Sequence, residues 1–149
     1  MEANERTKQE YAKMVERTSP KSPIGKNCLL AFLSGGAICT LGQIFRHWYF
    51  SMGWTEEECG LQVSVTLIGL SAVLTALGIY GRLGKYCGAG TEVPITGFAN
   101  SVVSPAIEFK KEGLVLGMAA KMFLIAGPVI VYGTLTSMVV GVIYYLLGR

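Results

Sequence analysis

Aspartate is absent from this 149-residue chain, histidine occurs once, at His47, and none of the four cysteines forms a CxxC pair. These gaps exclude a good deal of chemistry. One histidine with Cys28, Cys39, Cys59 and Cys87 scattered along the chain does not make a metal site. Without aspartate there is no Ser/His/Asp set, and the glutamates fall almost entirely in loops and the N-terminal segment. No paired acids stand in an apolar frame, no carboxylate cage for calcium is visible, and no cofactor fingerprint occurs. An enzyme is therefore not expected, and neither is a bound metal or cofactor. Charge is also scarce: charged residues make up 15% of the chain, and the net charge of +3 is not gathered into a stripe. Nucleic-acid binding requires such a stripe. The leading segment is mixed in charge and its first apolar run begins too late for a signal peptide.

Apolar residues, in contrast, are abundant. They make up 51% of the sequence, with nineteen glycines and a mean hydropathy of +0.45. A multi-span membrane protein fits this composition better than a soluble domain. Residues 1–26 form a polar segment with a capping box at Thr7-Lys8-Gln9-Glu10, which predicts a short helix from about Lys8 to Arg17. TSPKSP (Thr18 to Pro23) ends it. Residues 27–149 form the membrane domain. Asn27 to Phe45 is the first span, just long enough to cross about 30 Å of hydrocarbon. RHWYF follows as an interfacial belt, with His47 read as an anchor within it. Cys28 and Cys39 read as small apolar packers. Ser51 to Gly60 is an acidic loop, Leu61 to Gly81 the second span, and Arg82 to Glu92 a short basic loop. Met122 to Leu147 is the last long span.

GAGTEVPITGFANSVVSP (Gly88 to Pro105) is the anomaly: a polar, Gly-rich segment bounded by prolines, inside an apolar chain. Its flanks carry Arg82 with Lys85 and Lys110 with Lys111, so the positive-inside rule places both on the cytosolic side with the N-terminus. Val93 to Ile107 is short for a crossing, and the favoured reading is a re-entrant half-helix, with two full crossings as the rival. Pro94 suits a first helical position and Pro105 breaks the far end. Non-helical backbone at membrane depth survives only inside protein or beside a water-filled cavity. Gly113 to Leu147 is too long for one span, so a break is expected near Lys121 or Gly127-Pro128. The expected fold is all-α: a polytopic helical membrane protein with three to five membrane segments, one of them a re-entrant or broken half-helix.

Three features carry possible chemistry. Gly88, Gly90 and Thr91 open the half-helix, where free backbone N–H groups favour an anion. Lys121 stands in an apolar run and either lines a path or snorkels to the interface. Thr96, Asn100 and Ser104 lie on one helix face, as a polar path or as interhelical glue. Phe98 supplies an apolar wall. Gly113 with Gly117, and Gly133 with Ser137 and Gly141, read as helix-packing faces.

KNCLLAFLSGGAICTLGQ (Lys26 to Gln43) and GRLGKYCGAGTEVPITGFANSVVSPAIEFKKEGLVLG (Gly81 to Gly117) resemble the AC/AE-type membrane subunits of the SpoVA sporulation family. The likeness runs from Lys26 to nearly the end of the chain. The GAG-x-x-VP-x-TGFANS block is its most specific part, and the polar N-terminal segment looks like the AC type. The resemblance implies a subunit in the inner membrane of the bacterial spore. The implied function is movement of dipicolinic acid, with calcium, in during sporulation and out during germination, with a tension-responsive channel activity. It implies as partners the other SpoVA membrane subunits, the soluble AD-type subunit and membrane lipid. A non-conducting scaffold subunit is the alternative.

Overall fold

The first apolar run becomes one helix, α1 (Ile24–Ser51), which begins before Asn27 and takes in the whole RHWYF belt. No proline interrupts it, the Gly35-Gly36 pair is carried within it, and Gly53, whose φ of +91° suits glycine, turns the chain. The structure is a computed structural model that describes residues 22–148, with residues 8, 10–15 and 18 of the N-terminal segment. Residues 10–15 are helical, as expected for that segment; the Thr7 capping box lies outside the described residues.

The second helix, α2 (Glu56–Ala76), starts earlier than expected. Glu56, Glu57 and Glu58 are its first turn and not a loop, held by a capping box in which Thr55 and Glu58 satisfy each other's end. Three carboxylates also suit the positive end of the helix dipole. Helices α1 and α2 form a hairpin. Arg46 pairs with Glu56 at 2.5 Å near the connection, Tyr49 meets Thr66 at 2.7 Å, and Gly42 faces Val63 and Leu67. The N-terminus of α1 and the C-terminus of α2 therefore share one end of the molecule.

The expected basic loop is helical as well. Gly78 (φ +70°) closes α2, and α3 (Tyr80–Cys87) follows. Gly88 (φ +54°) then leads into a single turn, α4 (Ala89–Glu92). Pro94 caps α5 (Ile95–Glu108) from just outside the helix, and Pro105 lies within α5 and does not break it. The ring forfeits one backbone donor, close enough to the helix end that three more residues continue. A turn of 3-10 helix (Lys110–Glu112) and a six-residue π-helical turn (Leu114–Ala119) lead into α6 (Ala120–Leu146). The expected break near Lys121 or Gly127-Pro128 is absent: the π turn passes into α6 continuously, and Pro128 sits inside it. The change of winding falls where Met118 N–H reaches back to Gly113 O at 2.9 Å, an i to i−5 bond.

Among the described residues, three helical stretches are long and apolar enough to cross a membrane: Ile24–Ser51, Glu56–Ala76 and Leu114–Leu146. Segment α4–α5 is shorter than these three, and its register gives its course. Gly90 abuts Ala31 and Ser34 of α1, and Val93 with Pro94 shares a cavity with Gly35 and Cys39. This arm thus runs along α1 away from its N-terminus. Ser71 then pairs with Thr96 and Thr75 with Asn100, so α5 runs parallel to α2 and back toward α2's C-terminal end. The segment goes in and returns, and its two basic flanks lie at the same end of the α1–α2 hairpin. Cys28 and Cys39 are exposed on α1 and not packed in the interior; Cys59, at the start of α2, is the buried cysteine.

Arg82→Cys and Lys111→Cys, each in a cysteine-free background, are expected to react with a membrane-impermeant maleimide from one face, and Met52→Cys from the other. Labelling of positions 82 and 111 from opposite faces would show that the segment crosses.

Candidate functional site: the polar hairpin

A hairpin that enters an apolar layer carries backbone carbonyls with it, and each must find a donor. The donors come from α2 and α3. Tyr80 is buried, and its phenol oxygen lies 2.7 Å from Thr91 O and 2.9 Å from Thr96 Oγ1. A phenol has a single proton; it goes to the carbonyl, and the Thr96 hydroxyl completes the second contact with its own. Ser71 Oγ, also buried, donates to Thr96 O at 2.6 Å. Thr96 is thus held through both its main-chain and its side-chain oxygen. One turn on, Thr75 Oγ1 lies 2.7 Å from Ser71 O and 3.0 Å from the Asn100 side-chain amide. With the Thr75 proton on the Ser71 carbonyl, the network is complete when Asn100 turns its amide nitrogen toward Thr75.

Glycine allows the backbones to come this close. A Cβ on Gly90 would overlap Ser34 Oγ and the carbonyl oxygen of Ala31, so α4 touches α1 main chain to main chain. A Cβ on Gly97 would stand 2.5 Å from Thr91 O, inside the bend between the two arms. Thr91 is buried, and its hydroxyl donates to Gly88 O at 3.0 Å. The Gly88–Thr91 turn is therefore occupied by contacts to α1 and to itself.

Of the expected path residues, the structure brings Thr91, Thr96 and Asn100 together in this network. Phe98 and Ser104 are half-buried on the same helix. Lys121 stands apart: it reaches back over the Phe109 ring, 4.9 Å from the centroid, at the corner where α5 gives way to α6. That corner also holds Lys110 and Lys111. The expected packing glycines divide. Gly113 (φ +99°) makes the turn, and Gly117 lies on Glu112, where a Cβ would come 2.7 Å from that residue's carbonyl carbon. Both therefore build the corner and not an interhelical face. Gly133 and Gly141 have open space where a Cβ would be, on a stretch of α6 that is exposed from Pro128 onward, and Ser137 is exposed with them.

Ser71, Thr75 and Tyr80 were not among the residues expected from the sequence. Two of them leave a signal there: a Ser-x-x-x-Thr pair one helical turn apart in an otherwise apolar run, a spacing suited to interhelical hydrogen bonds.

The family model for SpoVAC/SpoVAEB sporulation membrane proteins matches residues 27–143. Stage V sporulation protein AC of Bacillus subtilis (strain 168) is 47% identical over 139 residues, covering 93% of this chain and 93% of that protein. No solved structure gives a significant match.

Tyr80→Phe is expected to lower stability by about 1–3 kcal/mol, because the Thr91 carbonyl loses its donor in a buried site. Gly90→Ala is expected to be more damaging, since backbone atoms of Ala31 would have to move, whereas Gly36→Ala, with nothing near the added methyl, should be neutral. Thermal melts in detergent check all three; a Gly90→Ala protein as stable as wild type would overturn the close contact.

Proposed function

From the family to which this chain belongs, the SpoVAC/SpoVAEB sporulation membrane proteins, we propose that it is a subunit of a spore membrane channel that passes dipicolinate, with calcium. The membrane is the inner membrane of the spore, with the N-terminus on the cytosolic side, where the positive-inside rule puts Lys26, Arg82, Lys85, Lys110 and Lys111. The direction is inward during sporulation and outward during germination. The observation that carries this reading is the hairpin: a polar segment that enters beside α1 and returns along α2, where an ordinary helical bundle would need none. Interrupted segments of this kind are the sequence mark of a substrate path.

The geometry fits a small aromatic dianion in two respects. Lys110, Lys111 and Lys121 outnumber Glu108 and Glu112 beside the end of α5, which leaves a net positive charge where an anion approaches the path. Phe98, Asn100 and Ser104 then follow along α5 as wall and hydrogen-bonding groups. Three spans and a hairpin are few to enclose a pore. The path therefore lies between this chain and further SpoVA membrane subunits, with the AD-type subunit as a soluble partner. Gly133, Ser137 and Gly141 on the exposed half of α6 suit contact with such a neighbour. Bilayer tension that separates the subunits is the proposed gate.

A scaffold role is the second reading, favoured by the bonds of Thr96 and Asn100 to Tyr80 and Thr75 within this chain. Dipicolinate efflux from liposomes separates the two, with the protein alone and then with its membrane partners. The channel reading expects Lys121→Gln to slow efflux several-fold while the purified complex keeps its composition. Wild-type efflux from Lys121→Gln and Ser104→Ala complexes, together with loss of partner subunits on Asn100→Leu, would instead make the chain a scaffold.

A further inference from the structure

Where α3 meets the first turns of α1, the surface opens into a cavity of about 380 Å³ lined by Asn27, Cys28, Ala31, Lys85, Tyr86 and Ala89, among others. A second cavity, of about 430 Å³, continues from it along α1 and shares Ala31 and Ala89 with the first. Their linings differ in kind. Among the described residues the first holds a lysine, an asparagine amide and a tyrosine, and no carboxylate. The second is walled by Ala31, Gly35, Cys39, Gly90, Val93 and Pro94, with almost no polar surface.

The two form one groove with a cationic, hydrogen-bonding head and an apolar tail. The head lies at the basic end of the molecule, where α3 carries Arg82 one turn before Lys85. Glu92, the nearest carboxylate of the neighbouring turn, points to Gly84 and is not part of the lining. The tail runs from Ala31 to Cys39, roughly 12 Å along α1, toward mid-membrane. It stays open because its floor is alanine and glycine. Exposed Tyr86 and Val93 leave the groove accessible from the side that faces the bilayer.

We propose that this groove is a binding site for an anionic glycerophospholipid. Lys85 and Asn27 hold the phosphate head, and one acyl chain lies against Ala31, Gly35, Gly90 and Val93. Basic pockets between helices at a membrane surface take anionic head groups, and the polar-to-apolar gradient matches the amphiphile end to end. The occupant also bears on the hairpin, because the acyl chain lies against the same arm, Ala89 to Pro94, that Tyr80 and Gly90 fix from within. The site does not depend on which solute the channel passes.

The test uses the full chain, purified in mild detergent, stripped of lipid, and titrated with dioleoyl phosphatidylglycerol, dioleoyl phosphatidylcholine or glycerol 3-phosphate under native mass spectrometry. One phosphatidylglycerol is expected to be retained about five-fold more readily than phosphatidylcholine, the contribution of a single basic residue near an anionic surface. Lys85→Glu should abolish that preference, Gly35→Leu should weaken retention of both lipids, and Lys110→Glu, at the other basic corner, should leave the preference intact. Gel filtration checks that each variant is folded, and Lys85→Gln replaces Lys85→Glu if the latter is not. Three results would each overturn the assignment: an unchanged preference in the Lys85 variant, displacement of the lipid by glycerol 3-phosphate, or occupation of the groove by a second copy of the chain that Gly35→Leu disperses.

Discussion

The hydrocarbon of a bilayer offers no hydrogen bonds, so a chain that bends back within it must carry its own donors to the bend. In this protein the donors are Tyr80 and Ser71, and the acceptors are the carbonyls of Thr91 and Thr96 on either side of Pro94. The rest of the arrangement follows from that pairing. Helix α3 must stand close enough for Tyr80 to reach both arms. Helix α2 must present Ser71 and Thr75 toward α5, and the entering arm must lie flat on α1, which only glycine at position 90 permits.

The same constraint explains how little conventional core the chain has. Among the described residues the buried apolar side chains are Cys59, Leu67, Tyr80, Ala99 and Ala126. Between helices in lipid there is no hydrophobic driving force, and association rests on close backbone approach and a few polar contacts. Gly90, Gly97 and Ala99 supply the first of these here; Ser71, Thr75 and Asn100 supply the second. Thr91 and Thr96 of the hairpin are therefore structural groups in this chain.

Much of this was legible in the sequence, and the exceptions have physical reasons. The three spans follow from apolar length, and the returning course of the hairpin follows from lysines and arginines on both flanks. Helix ends were less legible. The Thr55–Glu58 capping signature moves Glu56 to Glu58 from loop into helix, and residues 82–92 fold as two helices because Gly88 separates them at positive φ. The π turn at Leu114–Ala119 was hidden, since it depends on Gly117 meeting Glu112 in space. Tyr80 was hidden for the same reason: nothing in its neighbourhood along the chain announces Thr91 and Thr96 as its partners. Sequence alone leaves Lys121 either snorkelling or lining a path, and its place over Phe109 comes from the corner that Gly113 turns.

The exposed second half of α6 has a bearing on how the protein is made. From Pro128 to Gly148 every residue is exposed among the described residues, and the stretch Leu114–Leu146 that contains most of this half is apolar and long enough to cross a bilayer. The hairpin is in the opposite position: it is too short to span alone, and the donors for its bend are supplied by α2 and α3. The two elements therefore place different demands on insertion: apolar length serves the last helix, whereas the hairpin depends on partners that lie elsewhere in the chain.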